Sequence, residues 1–226
     1  MTTIFDRNPQ LQKPGGRAAW AESLESTLEE IRARLRQRPP QEIAHQAGFT
    51  WKPAEKQLDA CHLDRPYQIT WPELVAFPWG SDVPCDVELQ GVFLYCMVLA
   101  DGAPPTRRWL NFRELPQGWL YHQAFQSYTG DVLVQAVGND LETLRRLALA
   151  CGGEPIGVGD AGFAFRGLPR VPLALIYWQG DDEFPPRAFV LFDEAACHYL
   201  PIDGCAALGR RLISRLLAEA RKGESL

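Results

Sequence analysis

Six carboxylates fall within 23 residues of this chain, and five of them are the candidates: Asp181, Asp182 and Glu183 in a row, then Asp193 and Asp203, with Glu194 as the sixth. Oxygen-rich groups of this kind suit a hard cation such as magnesium or calcium. A buried pair among them suits acid/base chemistry, because neighbouring acids push their pKa values apart. Three consecutive acids repel one another unless water, a cation or donor groups offset the charge. The run is therefore either a solvated loop or a site. Trp178 and Phe184 flank it and add aromatic surface, which makes Trp178, Asp181, Asp182, Glu183, Phe184, Asp193 and Asp203 the candidate ligand-binding residues. The EF-hand spacing is absent, no catalytic residue is assigned, and whether Asp160 joins from the glycine-rich stretch 152–162 is left open.

Other groups with chemical potential are weaker. Cys61-His62 and Cys197-His198 could meet Cys85 or Cys205 at a soft metal, but no CxxC pair occurs among the six cysteines, so no metal ligands are assigned. Adjacent residues on a strand also face opposite ways, which sets Cys197 against His198. Neither pair has an evident orienting acid, and no GxSxG occurs, so a Cys/His or serine hydrolase lacks support. The five glycines of 152–162 fit a helix end running into a turn better than a phosphate cradle, since no Gly-Lys-Ser/Thr follows and a helix precedes.

Leu173–Trp178 is an unbroken apolar run suited to a central strand, and Gly180 with Pro185-Pro186 punctuates it. Ala188–Phe192 reads as the returning strand and Cys197–Leu200 as a short third one. Tyr67–Trp71 and Arg108–Phe112 complete a mainly antiparallel sheet. Asp86–Ala100 is expected as a helix buried nearly all round. Further helices are expected over Gln41–Gly48, Gly118–Tyr128, Asp131–Val137, Asp140–Ala150 and a C-terminal stripe of Leu208, Leu212, Ile213, Leu216 and Leu217. The aromatics of residues 49–85 fit core packing, with a pocket lining as the alternative.

The resulting class is α+β: a single domain over 40–226, an N-terminal helical extension over 17–39, and a flexible arm over 1–16. Trp20, Leu24, Leu28, Ile31 and Leu35 form one stripe on the Arg17–Arg38 helix, either a core face or a surface for a protein partner. At 226 residues with 46% hydrophobic content the chain can bury a large core. A net charge of −5 argues against nucleic acid, and the longest apolar run is too short to cross a membrane. With no export signal in view, the expectation is a cytoplasmic protein with reduced thiols.

The motifs NFRELPQGWLY (111–121), ACGG (150–153), LP (168–169) and W-x-G-D-D-E-F-P-P…LFD…LP-x-D (178–203) resemble the family called domain of unknown function 3786, over roughly residues 40–218. The resemblance implies no settled activity, and marks Trp178, Asp181, Glu183, Phe184, Asp193 and Asp203 as family positions. Some relatives carry a cysteine-rich iron–sulfur segment, which this chain does not repeat. Three functions follow as expectations: an accessory protein holding a small molecule, cofactor or cation beside the acidic hairpin; a metal-assisted hydrolase or transferase using the same acids; or a structural interaction module.

Overall fold

The computed structural model describes residues 16–223, with side chains described from Glu25 to Lys222. The arm expected over 1–16 lies, apart from Gly16, outside the described residues. In chain order, α1 (Gly16–Leu35) and α2 (Pro40–Ala47) precede strands β1 (Thr50–Lys52), β2 (Gln57–His62), β3 (Arg65–Thr70) and β4 (Ala76–Pro78). Then come α3 (Val87–Leu99), β5 (Trp109–Asn111), α4 (His122–Tyr128), α5 (Gly130–Val137) and α6 (Leu141–Ala150). Strands β6 (Glu154–Ile156), β7 (Ala161–Leu168), β8 (Val171–Trp178) and β9 (Arg187–Asp193) lead to α7 (Ile202–Gly223). Helices packed on antiparallel sheets make this an α+β fold.

The strands form two sheets instead of the one expected. A four-stranded sheet runs β1-β2-β3-β4 and a five-stranded one runs β5-β9-β8-β7-β6, with antiparallel pairing throughout. Tyr67–Trp71 therefore belongs, over Tyr67–Thr70, to a separate sheet from the acidic hairpin. The sheets meet at a corner where Leu63 N donates to Arg166 O at 3.0 Å. At the same corner the β2–β3 turn places Leu63 and Asp64 at φ 49° and 57°, the left-handed geometry of a two-residue hairpin.

The hairpin β8–β9 is present, in the register Trp178↔Arg187 to Leu173↔Phe192. Its apolar run is explained by burial, since Leu173 to Leu175 and Tyr177 are fully covered. Cys197–Leu200 is not a strand. Asp193 accepts from Ala195 N at 2.9 Å and so starts a 3₁₀ turn over Glu194–His198. Side-chain caps also fix two helix starts as expected: Asp86 accepts from Leu89 N in α3, and Asp140 from Thr143 N in α6.

Helix α3 is the central one, with Leu89 to Leu94, Cys96 and Met97 buried. Leu28, Ile31 and Leu35 of α1 are buried, and α1 packs along α3, so the described part of that stripe is a core face. The C-terminal stripe seats α7 against α3, α5 and α6. Gly209 permits this seating: a Cβ there would come 2.7 Å from the Phe125 ring, which stacks on Phe112 at 4.1 Å. The aromatics of 49–85 divide between core and surface. Phe49 and Tyr67 pack on Phe93, whereas Trp79 is exposed.

Candidate functional site

The hairpin tip is held by its own backbone. Asp181 Oδ1 accepts from Glu183 N at 2.9 Å and Phe184 N at 2.7 Å, and these bonds hold its carboxyl below the ordinary value. Neighbouring loops tie down the base of the tip. Asn139 accepts from Gly180 N and donates to Gly180 O, while Asp160 Oδ2 accepts from Gln179 N at 2.7 Å. Asp160 thus does reach the hairpin, as a backbone acceptor. Asp181, Asp182 and Glu183 are exposed, and so are Trp178 and Phe184. A shallow cleft of about 490 Å³ borders the hairpin at Pro186, Arg187 and Phe189, and none of the three tip acids lines it.

The later aspartates stand elsewhere. Asp193 ends a seven-residue strand, which at about 3.3 Å per residue puts it roughly 20 Å from the tip. It is fully buried and accepts from Thr106 N (3.0 Å), Arg107 N (2.6 Å) and Ala195 N (2.9 Å), with Thr106 Oγ1 at 3.3 Å. That carboxylate joins the approach to β5 to the end of β9. Asp203, in the first turn of α7, lies at the rim of a different, smaller pocket with Tyr95 and Tyr128. The fold therefore does not gather the seven candidates into one concavity; Trp178 to Phe184 share the tip, and Asp193 and Asp203 are placed apart from it.

A cleft of about 540 Å³ opens instead where the β2–β3 turn faces α7. Its walls carry Arg65 from the start of β3, Arg210, Arg211, Arg215 and Lys222 from α7, and three acids, Asp86, Glu88 and Glu219. Cations exceed acids by two in a chain of net charge −5. Two helices supply most of this geometry. The α7 stripe that is buried leaves Arg211, Arg215 and Lys222 on a neighbouring face, spaced so that they succeed one another along the helix.

The charges in the cleft are unequally engaged. Arg210 pairs with Glu88 and Arg211 with Asp86. Arg211 Nε lies 3.2 Å from Glu88 Oε2 without the alignment of a hydrogen bond. Partial burial raises the Asp86 carboxyl, but Arg211 outweighs that effect and holds it below its ordinary value. Lys222 donates to Glu219 at 2.9 Å. Among the described residues, Arg65 and Arg215 have no carboxylate within salt-bridge distance, and Arg215 Nη1 is buried without a hydrogen-bond partner. Arg65 is exposed and Arg215 only partly buried, and a donor such as Arg215 Nη1 left without a partner is costly, a cost that an acceptor on an anion would offset.

His62 forms part of the same wall and is 4% exposed. Its Nδ1 lies 2.9 Å from Gly167 O; a carbonyl only accepts, so Nδ1 carries the proton and Nε2 keeps its lone pair. Burial, with Arg211 and Arg215 adding to it against the Gly167 bond, lowers its pKa to about 4. The ring is thus a neutral acceptor beside cations.

His198 Nδ1 lies 2.6 Å from Asp101 Oδ2, an orienting acid not evident in the sequence, and both side chains are about half exposed. Cys96, Cys151 and Cys205 are buried, and all six cysteines are unpaired. Among the described residues, no three His, Cys, Asp or Glu side chains converge on a point where a metal would fit. No helix among them is long and apolar enough to cross a membrane.

No curated protein and no solved structure matches this chain. A family model described as domain of unknown function (DUF3786) matches residues 39–215, a span that takes in both the hairpin and the residues of the cleft as far as Arg215, and the chain accordingly belongs to that family.

Proposed function

We propose that this protein is a binding or accessory protein that holds a small anionic molecule in the cleft between the β2–β3 turn and α7. The observation that carries the reading is the pair Arg65 and Arg215, both on the cleft wall and both without a carboxylate partner among the described residues. Guanidinium groups present several donors in a fixed fork and suit phosphate or carboxylate oxygens. Ser214 and Tyr67 add hydroxyls to the same wall.

The test is a thermal-shift and calorimetric titration of the full chain with inorganic phosphate and pyrophosphate at low ionic strength. A ligand at about 100 times its Kd adds about 2.7 kcal/mol. That corresponds to a Tm rise of roughly 5–10 °C for a chain of this size. Arg65→Ser is expected to reduce the rise by at least half. No rise with either anion, or an equal rise in Arg65→Ser, overturns the reading.

A second reading places a cation at the hairpin for metal-assisted hydrolase or transferase chemistry. It is favoured by the exposed carboxylates of Asp182 and Glu183, which have no side-chain partner among the described residues. Its test is magnesium and calcium titration of wild type against Asp182→Asn/Glu183→Gln. Equal heats in the two proteins exclude it.

A further inference from the structure

A second pocket, of about 210 Å³, lies where α3 crosses α7. Val92, Ala206 and Ala207 give it apolar walls, with the rings of Tyr95 and Tyr128 and the carboxylate of Asp203 also on its lining. Glu88 and Arg210 line this pocket and the arginine cleft alike, so their ion pair is the partition between the two spaces. Both members of the pair retain some exposure, 23% for Glu88 and 30% for Arg210, so neither is locked in the core. One side of the partition is cationic and open, and the other is small, mainly apolar and edged by hydroxyls.

We infer that the cleft and this pocket are two halves of one site, which takes a molecule carrying an anionic group joined to a single six-membered aromatic ring. The inference rests on the anion-binding reading above and names the class of anion. The anionic group meets Arg65, Arg211 and Arg215, and the ring passes the Glu88–Arg210 pair to lie against Val92, Tyr95 and Ala207. Arg210 then exchanges its bond to Glu88 for one to the ligand. A volume of 210 Å³ suffices for such a ring, since an apolar cavity of about 150 Å³ accepts benzene. Burial keeps Tyr128 protonated, with a pKa pushed up to about 12, and raises that of Tyr95, so both phenols remain neutral donors to a ring substituent.

A phosphate monoester and a carboxylate share this chemistry, and separate probes distinguish them. Calorimetry of the full chain at low ionic strength would compare inorganic phosphate, phenyl phosphate and benzoate. One of the two aryl anions is expected to bind at least tenfold more tightly than inorganic phosphate. Which one does so identifies the anionic group. Ala207→Leu, which fills the pocket, is expected to bring that ratio close to one. Because Ala207 is buried and this variant could fail to fold, Tyr95→Ala serves as the converse: it enlarges the pocket and is expected to shift the preference from phenyl to naphthyl phosphate. If inorganic phosphate binds and neither aryl anion binds more tightly, the two-part site is wrong while the anion cleft stands. The same holds if the aryl preference survives in Ala207→Leu and is unaltered in Tyr95→Ala. If no anion binds, both readings fall.

Discussion

The hairpin mouth and the arginine cleft are both strongly charged, and they are built in opposite ways. At the mouth the acids are neighbours in sequence, and the tip holds them through bonds to its own backbone, as when Asp181 caps Glu183 and Phe184. In the cleft the cations come from Arg65 and from Arg210 onward, some 145 positions apart in the chain, and only packing of α7 near the sheet corner makes them neighbours. Charges clustered by the sequence have water available on every side and need nothing further. Charges clustered by folding can be partly desolvated, as Arg215 is, and such an unmatched member has a physical use for a ligand.

The contrast is sharpened most by Asp193, which the sequence groups with the hairpin acids and the fold uses as a fastening. Asp193→Ala is expected to cost about 3 kcal/mol, because it leaves buried donors without an acceptor. In thermal denaturation that is a Tm fall of roughly 6–12 °C. Asp193→Asn, which keeps one acceptor oxygen, is expected to fall between the variant and wild type. A Tm within 1–2 °C of wild type in Asp193→Ala would return this residue to the list of free acids.

His62 sets the pH behaviour of the cleft side. Its pKa is lowered from 6.5 to about 4 by burial, so between those values the unfolded chain takes up a proton that the folded chain refuses. The stability contributed by the neutral ring is complete above pH 6.5 and declines as the pH falls toward 4, by roughly 3 kcal/mol in all. Urea denaturation at a series of pH values checks this, and His62→Gln is expected to flatten the decline in that window. An unchanged slope in the variant would assign the acid sensitivity elsewhere.

The smallest effects are expected at the tip. Asp182→Asn and Glu183→Gln should each move Tm by under about 2 °C, since surface changes away from a cap or partner are close to neutral. Asp181→Ala removes a turn cap and should be the largest of the three. Equal and substantial losses across all three would mean that the tip is a packed site after all, and would erase the contrast with the cleft.

Much of the fold was legible because local chemistry and tertiary structure agreed. The run Leu173–Trp178, the helix starts at Asp86 and Asp140, and the leucine stripe of α7 each signal the element they form. The small sheet was hidden in part because β2 buries Leu58, Ala60 and His62 on alternate positions, and a histidine does not read as the inward member of a strand. Cys197–Leu200 misled because its residues favour strand, whereas the cap that decides its conformation, Asp193, lies just upstream of it. The cleft was illegible for a topological reason: no window of sequence contains both walls. A signal existed nonetheless in Arg211, Arg215 and Lys222, a basic row beside the buried face of α7.

Gly209, two residues before Arg211, gives that row its seat. Because α7 passes the edge of the Phe125 ring with no methyl group between, the stacked Phe125–Phe112 pair sets how closely the helix approaches the hydrocarbon beneath it. The seat of the cationic row is thus set by hydrocarbon on the side of the helix away from the charges, and the ion pairs to Asp86 and Glu88 act from the other side.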